Sequence, residues 1–141
     1  MTPNPDYNAF NRSVIAEFRQ KGGAVTGAFA GAPLLLLTTT GAKTGTARTT
    51  PLVHTRDGNN IVVIASKGGA PRDPDWFRNL SANPRVTIEL PGDTFQAQAR
   101  VAEGQERERL YRAQAELMPN FDEYADKTDR LIPVVVLERV G

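Results

Sequence analysis

Residues 33–55 read PLLLLTTTGAKTGTARTTPLVHT. An apolar run that passes into β-branched residues predicts a buried strand over 33–40. GAKTGT turns the chain, and ARTTPLVHT (47–55) predicts a second strand whose ladder Pro51 interrupts. Lys43 and Arg48 stand five apart among glycines and small hydroxyl residues. Such a loop either holds an anion through backbone amides and cations or is a solvated hairpin turn, and spacing alone leaves both open. It is no P-loop, because Ala42 rather than Gly precedes Lys43 and a strand rather than a helix follows.

Working outward, RDGNN signals a hairpin around Asp57-Gly58, and IVVIAS (61–66) predicts the third strand. KGGAPRDPD is a glycine-rich loop leading into a short helix, with Asp73 expected as N-cap and Pro74 as the first helical residue. Trp76, Phe77 and Leu80 give that helix its apolar side. RVTIEL (85–90) and TFQAQARVA (94–102) are strands about a PGD turn. GQERERLYRAQAELM (104–118) is an amphipathic helix with Leu110, Ala113 and Leu117 on one face. PNFDEYADKT predicts a short helix and IPVVVLERV (132–140) a last strand.

Upstream, Phe10, Val14 and Phe18 recur four apart over 8–20, with Ile15 beside Val14, and Gly22-Gly23 ends that helix. Residues 24–32 read as a loop. Antiparallel hairpins dominate and no βαβ repeat or GxGxxG fingerprint is present. The expected architecture is α+β, with a barrel or strongly curled sheet of about six mainly antiparallel strands. One domain over 1–141 is expected, with 1–32 as N-terminal helix and loop and 33–141 as core.

The chain has 141 residues, no cysteine and a single histidine. Disulfides, thiolate catalysis and Cys-ligated metals are excluded, and no metal-ligand spacing appears. The apolar stretch 27–37 is far shorter than the ~20 residues of a spanning helix. The N-terminus has no basic-then-apolar signal pattern, so a cytoplasmic protein is expected. The net charge of +1 argues against a nucleic-acid binder. Its distribution is uneven: residues 41–85 hold seven cations against three anions, a balance of +4, and residues 86–141 hold seven against eleven, a balance of −4.

A second stretch, ASKGGAPRDPDWFRNL (65–80), sets Lys67-Gly68-Gly69 directly after a strand, exposing amides beside a cation. If the strands pair as hairpins, this loop and the 41–48 turn share one end of the sheet. Trp76 is either core packing or a cover for an aromatic ligand. His54 has no Ser or Asp pattern to support a triad and reads as structural. Phe121 and Tyr124, three apart on a helix, make a core seam or an aromatic wall over a pocket.

Together LLLLTTTGAKTGTARTTPL (34–52), IASKGGAPRDPDWFRNLSANPRV (64–86) and DRLIPVVVLERV (129–140) resemble the deazaflavin-dependent nitroreductases. These are actinobacterial oxidoreductases that use coenzyme F420, an 8-hydroxy-5-deazaflavin. The resemblance implies a split β-barrel related to flavin reductases. It implies that Lys43 and Arg48 hold the cofactor's phosphate and glutamate tail, with Gly45 and Pro51 shaping that wall. Ala65, Ser66, Lys67 and Gly68 would meet the ring or ribityl chain, supported by Trp76 and Asn79. Ser66 and Tyr124 are the implied polar contacts to substrate, Tyr124 as proton donor. Val53, Phe121, Tyr124 and Phe18 are the implied substrate pocket. Val53 and Phe121 stand where activators of nitroimidazole prodrugs carry tyrosines, which turns the expectation from nitroaromatics toward a quinone or enone.

The leading expectation is therefore hydride transfer from reduced F420 to a quinone. Alternatives are an FMN-dependent reductase on the same barrel and a non-catalytic deazaflavin carrier. An RNA-binding barrel fits the charge and aromatic pattern poorly. A monomer or weak homodimer is expected, with peripheral membrane contact open to the N-terminal helix.

Overall fold

The computed structural model describes residues 5–23, 25, 33–70 and 72–140. Apart from Val25, the 24–32 loop lies outside the described residues. The elements run α1 (Pro5–Gln20), β1 (Leu34–Thr40), β2 (Ala47–Val53), β3 (Thr55–Asp57) and β4 (Asn60–Ile64). There follow α2 (Asp75–Ala82), β5 (Arg85–Leu90), β6 (Asp93–Val101), α3 (Gly104–Leu117), α4 (Asn120–Asp126) and β7 (Val134–Arg139). A single 3-10 turn, Lys67–Gly69, leads from β4 toward α2.

All pairings are antiparallel, in the order β2-β1-β5-β6-β7-β4-β3. The two ends of that order, β2 and β3, are consecutive in the chain and separated only by His54. They are two halves of one strand. The first half pairs with β1 (Leu34 opposite Val53) and the second with β4 (Thr55 opposite Val62). One bent strand thus links the two ends of the sheet and curls it into a barrel, each half of that strand keeping one unpaired edge. The expected continuous strand over 47–55 is corrected here: His54 lies in the bend, its N–H donating to the Pro33 carbonyl at 3.0 Å. Six strands by sequence become seven segments because the closing strand must change partners.

Alternation sorts the side chains between the barrel's two faces. Leu35 and Leu37, Ile61 and Val63, Val86 and Ile88, Ala97 and Ala99, and Val135 and Leu137 point inward and share one cluster with Trp76 and Leu80 of α2. The alternate residues point outward under helices. Leu34 and Leu36 pack on Val14 and Phe18 of α1. Val62, Ile64, Val134 and Val136 pack on Leu110, Tyr111 and Ala115 of α3 and Phe121 of α4. The four leucines of β1 are thus buried on both faces, each worth about 2 kcal/mol of removed apolar surface. β2 pairs with β1 alone, a setting in which a strand tolerates Pro51.

Two helix readings need correction. On α3 the buried residues are Leu110, Tyr111, Gln114 and Ala115, while Ala113 is exposed and Leu117 is 73% exposed. Tyr111 turns the face, because its ring is buried while its hydroxyl donates to the Phe121 carbonyl at 2.5 Å. Helix α2 begins at Asp75 with Pro74 as N-cap residue and no side-chain cap bond. Asp73 does not cap it; its carboxylate accepts from Arg130 at 2.8 Å instead.

Candidate functional site

β1 and β4 run in the same direction, since each is antiparallel to one half of the bent strand. The loop after β1 (41–46) and the loop after β4 (65–74) therefore leave the same end of the barrel. A side chain joins them: Asn79 of α2 accepts the Ala42 N–H through Oδ1 at 3.0 Å and donates through Nδ2 to the Thr39 hydroxyl at 3.2 Å.

The 41–46 loop is held tightly. Gly41 N–H donates to Thr46 O at 2.8 Å and Gly45 N–H to Gly41 O at 2.9 Å. The Thr46 N–H donates to Thr44 Oγ1 at 3.3 Å. Gly45 takes φ +71, where a side chain would be strained. With those amides and that of Ala42 engaged, the N–H groups of Lys43 and Thr44 have no partner among the described residues. Two amides without partners beside the Lys43 ammonium are donors that an anion could use.

Nine cations, Arg19, Lys21, Arg78 and Arg107 among them, meet a carboxylate, and eight meet none among the described residues. Arg12, Arg56, Arg85 and Lys127 are four of these eight and lie outside the two loops. Arg100, Arg109, Arg112, Arg130 and Arg139 each meet a carboxylate. Lys43, Arg48, Lys67 and Arg72 are exposed and meet none among the described residues. These four lie on the two loops at the barrel's end or at the start of β2. Local positive charge without local neutralisation attracts an anionic ligand.

The second loop carries the narrower part of the site. Ser66 is 7% exposed, and its carbonyl accepts from the Gly69 N–H at 2.9 Å and from Arg130 at 2.7 Å. Its hydroxyl has no partner among the described residues. Lys67 adopts φ 47, a left-handed conformation uncommon for a residue with a side chain. Gly69, at φ +83, packs so close to α4 that a Cβ would sit 2.9 Å from the Tyr124 carbonyl. The turn and α4 are thus in direct contact. Tyr124 is half-buried, its ring 5.2 Å from that of Phe121, and its hydroxyl accepts from Asn120 Nδ2 at 2.7 Å. That donation leaves the phenolic proton free to be given elsewhere.

The remaining sequence-derived positions are placed as follows. Ala65 is buried in the barrel core with Trp76, whose ring stands edge-on to Phe77. Pro51 is buried opposite Leu36. Gly68 is the middle residue of the 3-10 turn. Val53 packs against both outer clusters, one holding Phe18 and the other Phe121 with Tyr124 beside it. Phe18 and Phe121 are themselves only 4% exposed.

His54 lies at the far end of β2, about 20 Å of strand from the loop. Burial first, and the nearby Arg56 charge second, hold its pKa below the ordinary imidazole value, while the Pro33 carbonyl opposes them. Among the described residues no three potential metal ligands cluster. Arg130 and Asn120 went unnoticed in the sequence. Neither has a spacing signal, because one acts across 57 to 64 residues and the other on a tyrosine one helical turn away.

One bent strand closes a split barrel, and at one end of it amides without partners stand beside cations that meet no carboxylate among the described residues. The family model described as F420H(2)-dependent quinone reductase matches residues 10–139. An F420H(2)-dependent quinone reductase of Mycobacterium tuberculosis is 44% identical over 110 residues, covering 76% of this chain and 74% of that protein. A solved F420-H2 dependent reductase is 42% identical with a TM-score of 0.70, covering 75% of this chain and 94% of that one. A solved domain-swapped dimer is 35% identical with a TM-score of 0.72, covering 96% and 100%. The chain belongs to the F420H(2)-dependent quinone reductase family.

Proposed function

We propose that this chain transfers a hydride from reduced F420 to a quinone. The observation that carries the reading is the pair of loops joined by Asn79, where Lys43, Arg48, Lys67 and Arg72 meet no carboxylate and the Lys43 and Thr44 amides no acceptor among the described residues. F420 carries a phosphodiester and glutamate carboxylates, which match that donor set. When bound, the reduced deazaflavin supplies the hydride, a two-electron chemistry that needs no protein nucleophile.

In this reading Lys43 and Arg48 hold the tail, and Gly45 and Pro51 shape the wall beside it. Ala65, Ser66, Lys67 and Gly68 present backbone and the Ser66 hydroxyl to the ring and ribityl chain. Trp76 packs beneath them, and Asn79 fixes the loop. Tyr124 faces the substrate, with Val53 beside it and Phe18 and Phe121 backing the wall. A hydride reduces the quinone to the hydroquinone anion, and the Tyr124 proton completes the hydroquinone. Val53 and Phe121 give the pocket an apolar lining, as a quinone ring requires.

The test is oxidation of reduced F420 by menadione, followed by return of the oxidised cofactor's absorbance, with reduced FMN as control. Oxidation of F420 alone supports the reading. Binding without turnover supports a carrier instead, and turnover with FMN alone overturns the cofactor assignment.

For assembly the reading is a monomer or weak homodimer, which light scattering of the eluting protein tests. Among the described residues no helix is long and apolar enough to cross a membrane. Val14 and Phe18 are committed to the core, and among the described side chains of α1 the exposed large apolar one that a peripheral membrane contact could use is Phe10, at 44%. Flotation with anionic vesicles tests that contact.

A further inference from the structure

Arg130 lies between α4 and β7, and its guanidinium is turned back onto the 65–74 loop. Nε donates to the Ala70 carbonyl at 2.8 Å, one terminal nitrogen to the Ser66 carbonyl at 2.7 Å and the other to Asp73 Oδ1 at 2.8 Å. Its side chain is 15% exposed. A planar fork fixes all three acceptors relative to one another, which a lysine ammonium on a flexible stem cannot do. Asp73 neutralises the charge locally, so Arg130 is not one of the cations left for an anionic ligand.

The bracketed segment includes the sole non-glycine residue with positive φ among the described residues, Lys67 at φ 47. A sparsely populated backbone state persists only where its surroundings over-determine it. Here Arg130 holds the carbonyls on one side, and Gly69 abuts the Tyr124 and Lys127 backbone and side chain on the other. Residues 120–130 thus supply both the helix carrying Tyr124 and the clamp on the loop carrying Ser66.

We infer that Arg130 is a positioning residue: it sets the 66–70 backbone and so the separation between the cofactor-side loop and Tyr124. The inference rests on the proposed function for its catalytic half, since hydride transfer demands close placement of donor and acceptor. Displacements of about 1 Å at such a site cost on the order of a hundredfold in rate.

The experiment compares wild type with Arg130→Met and Arg130→Lys. Amide hydrogen exchange at Gly69 and Ala70 is read in the ligand-free protein, because their N–H groups donate to Ser66 and Lys67 within the clamped turn. F420 affinity and the single-turnover rate of reduced F420 with menadione are read beside it. Both variants are expected to exchange faster at those two amides and to transfer hydride about tenfold to a hundredfold more slowly. F420 affinity is expected to change only a few-fold, since the tail cations lie on the other loop. Unaltered exchange in Arg130→Met overturns the clamp whatever the enzyme does. Faster exchange with an unaltered hydride rate overturns the positioning role. Faster exchange in a protein whose wild type neither binds nor oxidises the deazaflavin overturns the proposed reaction and leaves the clamp standing. Should Arg130→Met fail to fold, Asp73→Ala removes one of the three contacts and is read the same way, with smaller shifts in the same direction expected.

Discussion

The side-chain oxygen of Asn79 accepts the backbone N–H of Ala42 at 3.0 Å, which ties helix α2 to the loop bearing Lys43. The same side chain donates to Thr39 at 3.2 Å, so both ends of one amide are engaged. Asn79→Ala is expected to cost about 1 kcal/mol, the net value of such bonds where water can take their place. For a domain of this size that is a fall of about 4 °C in Tm. F420 affinity should drop several-fold, because the loop's free amides lose their fixed orientation. Calorimetry and fluorescence titration of the deazaflavin check both, and unaltered affinity would sink the coupling between helix and loop.

Lys43 and Arg48 are exposed and their side chains meet no partner among the described residues, so neither has a described folded-state ion pair to lose. Lys43→Ala and Arg48→Ala are expected to leave Tm within about 1 °C while weakening F420 binding about tenfold each, or about 1.4 kcal/mol. Wild-type affinity should fall with added salt, and less steeply in the double variant, since exposed charges are screened. Salt-independent binding would contradict an electrostatic hold on the tail.

Much of this fold could be read from patterning, and the exceptions have physical causes. The runs LLLL and VVVL are strands buried on both faces, so short length and β-branched residues, the threonines after LLLL and the valines of VVVL, identify them where alternation is absent. The bend at His54 gives no local signal, because closure is a demand of the whole barrel on one strand. Asp73 had the residue type and position of an N-cap, yet a guanidinium 57 residues away competes for its carboxylate. The two basic loops were visible as a charge imbalance. Arg130 was not, because a lone arginine in a chain with 17 cations is uninformative until its acceptors are seen.

Tyr124 receives a hydrogen bond from Asn120 at 2.7 Å and so presents its proton outward. Tyr124→Phe is expected to slow quinone reduction about tenfold to a hundredfold, at the low end of general-acid effects because water can substitute. F420 affinity should be unaffected. Asn120→Leu should give a smaller loss by freeing the phenol to rotate. Stopped-flow rates in light and heavy water separate the cases, since loss of the proton donor alters the solvent isotope effect. A Tyr124→Phe enzyme with wild-type rate and isotope effect would remove this residue from the chemistry.

His54 predicts how stability changes with pH. Its Nδ1 is buried without a partner among the described residues, and burial and Arg56 hold its pKa below the ordinary 6.5. As pH falls below about 6.5 the unfolded chain takes up a proton that the folded barrel resists. The unfolded state then binds more protons, so stability decreases with falling pH. The contribution is complete above about pH 6.5 and is lost as pH approaches the folded-state value, at no more than about 1.4 kcal/mol per pH unit for one proton. Asp57 and Glu106, whose pKa values are lowered chiefly by hydrogen bonds from Arg109 and Arg100, add losses of the same sign. Theirs fall only near about pH 4 and below, in a separate window. Thermal melts of wild type and His54→Gln from about pH 7.5 to about pH 5 resolve the histidine's share. The wild-type Tm should fall across that range and the variant's should stay nearly flat. Parallel curves would show that protonation at the barrel's bend does not limit its stability.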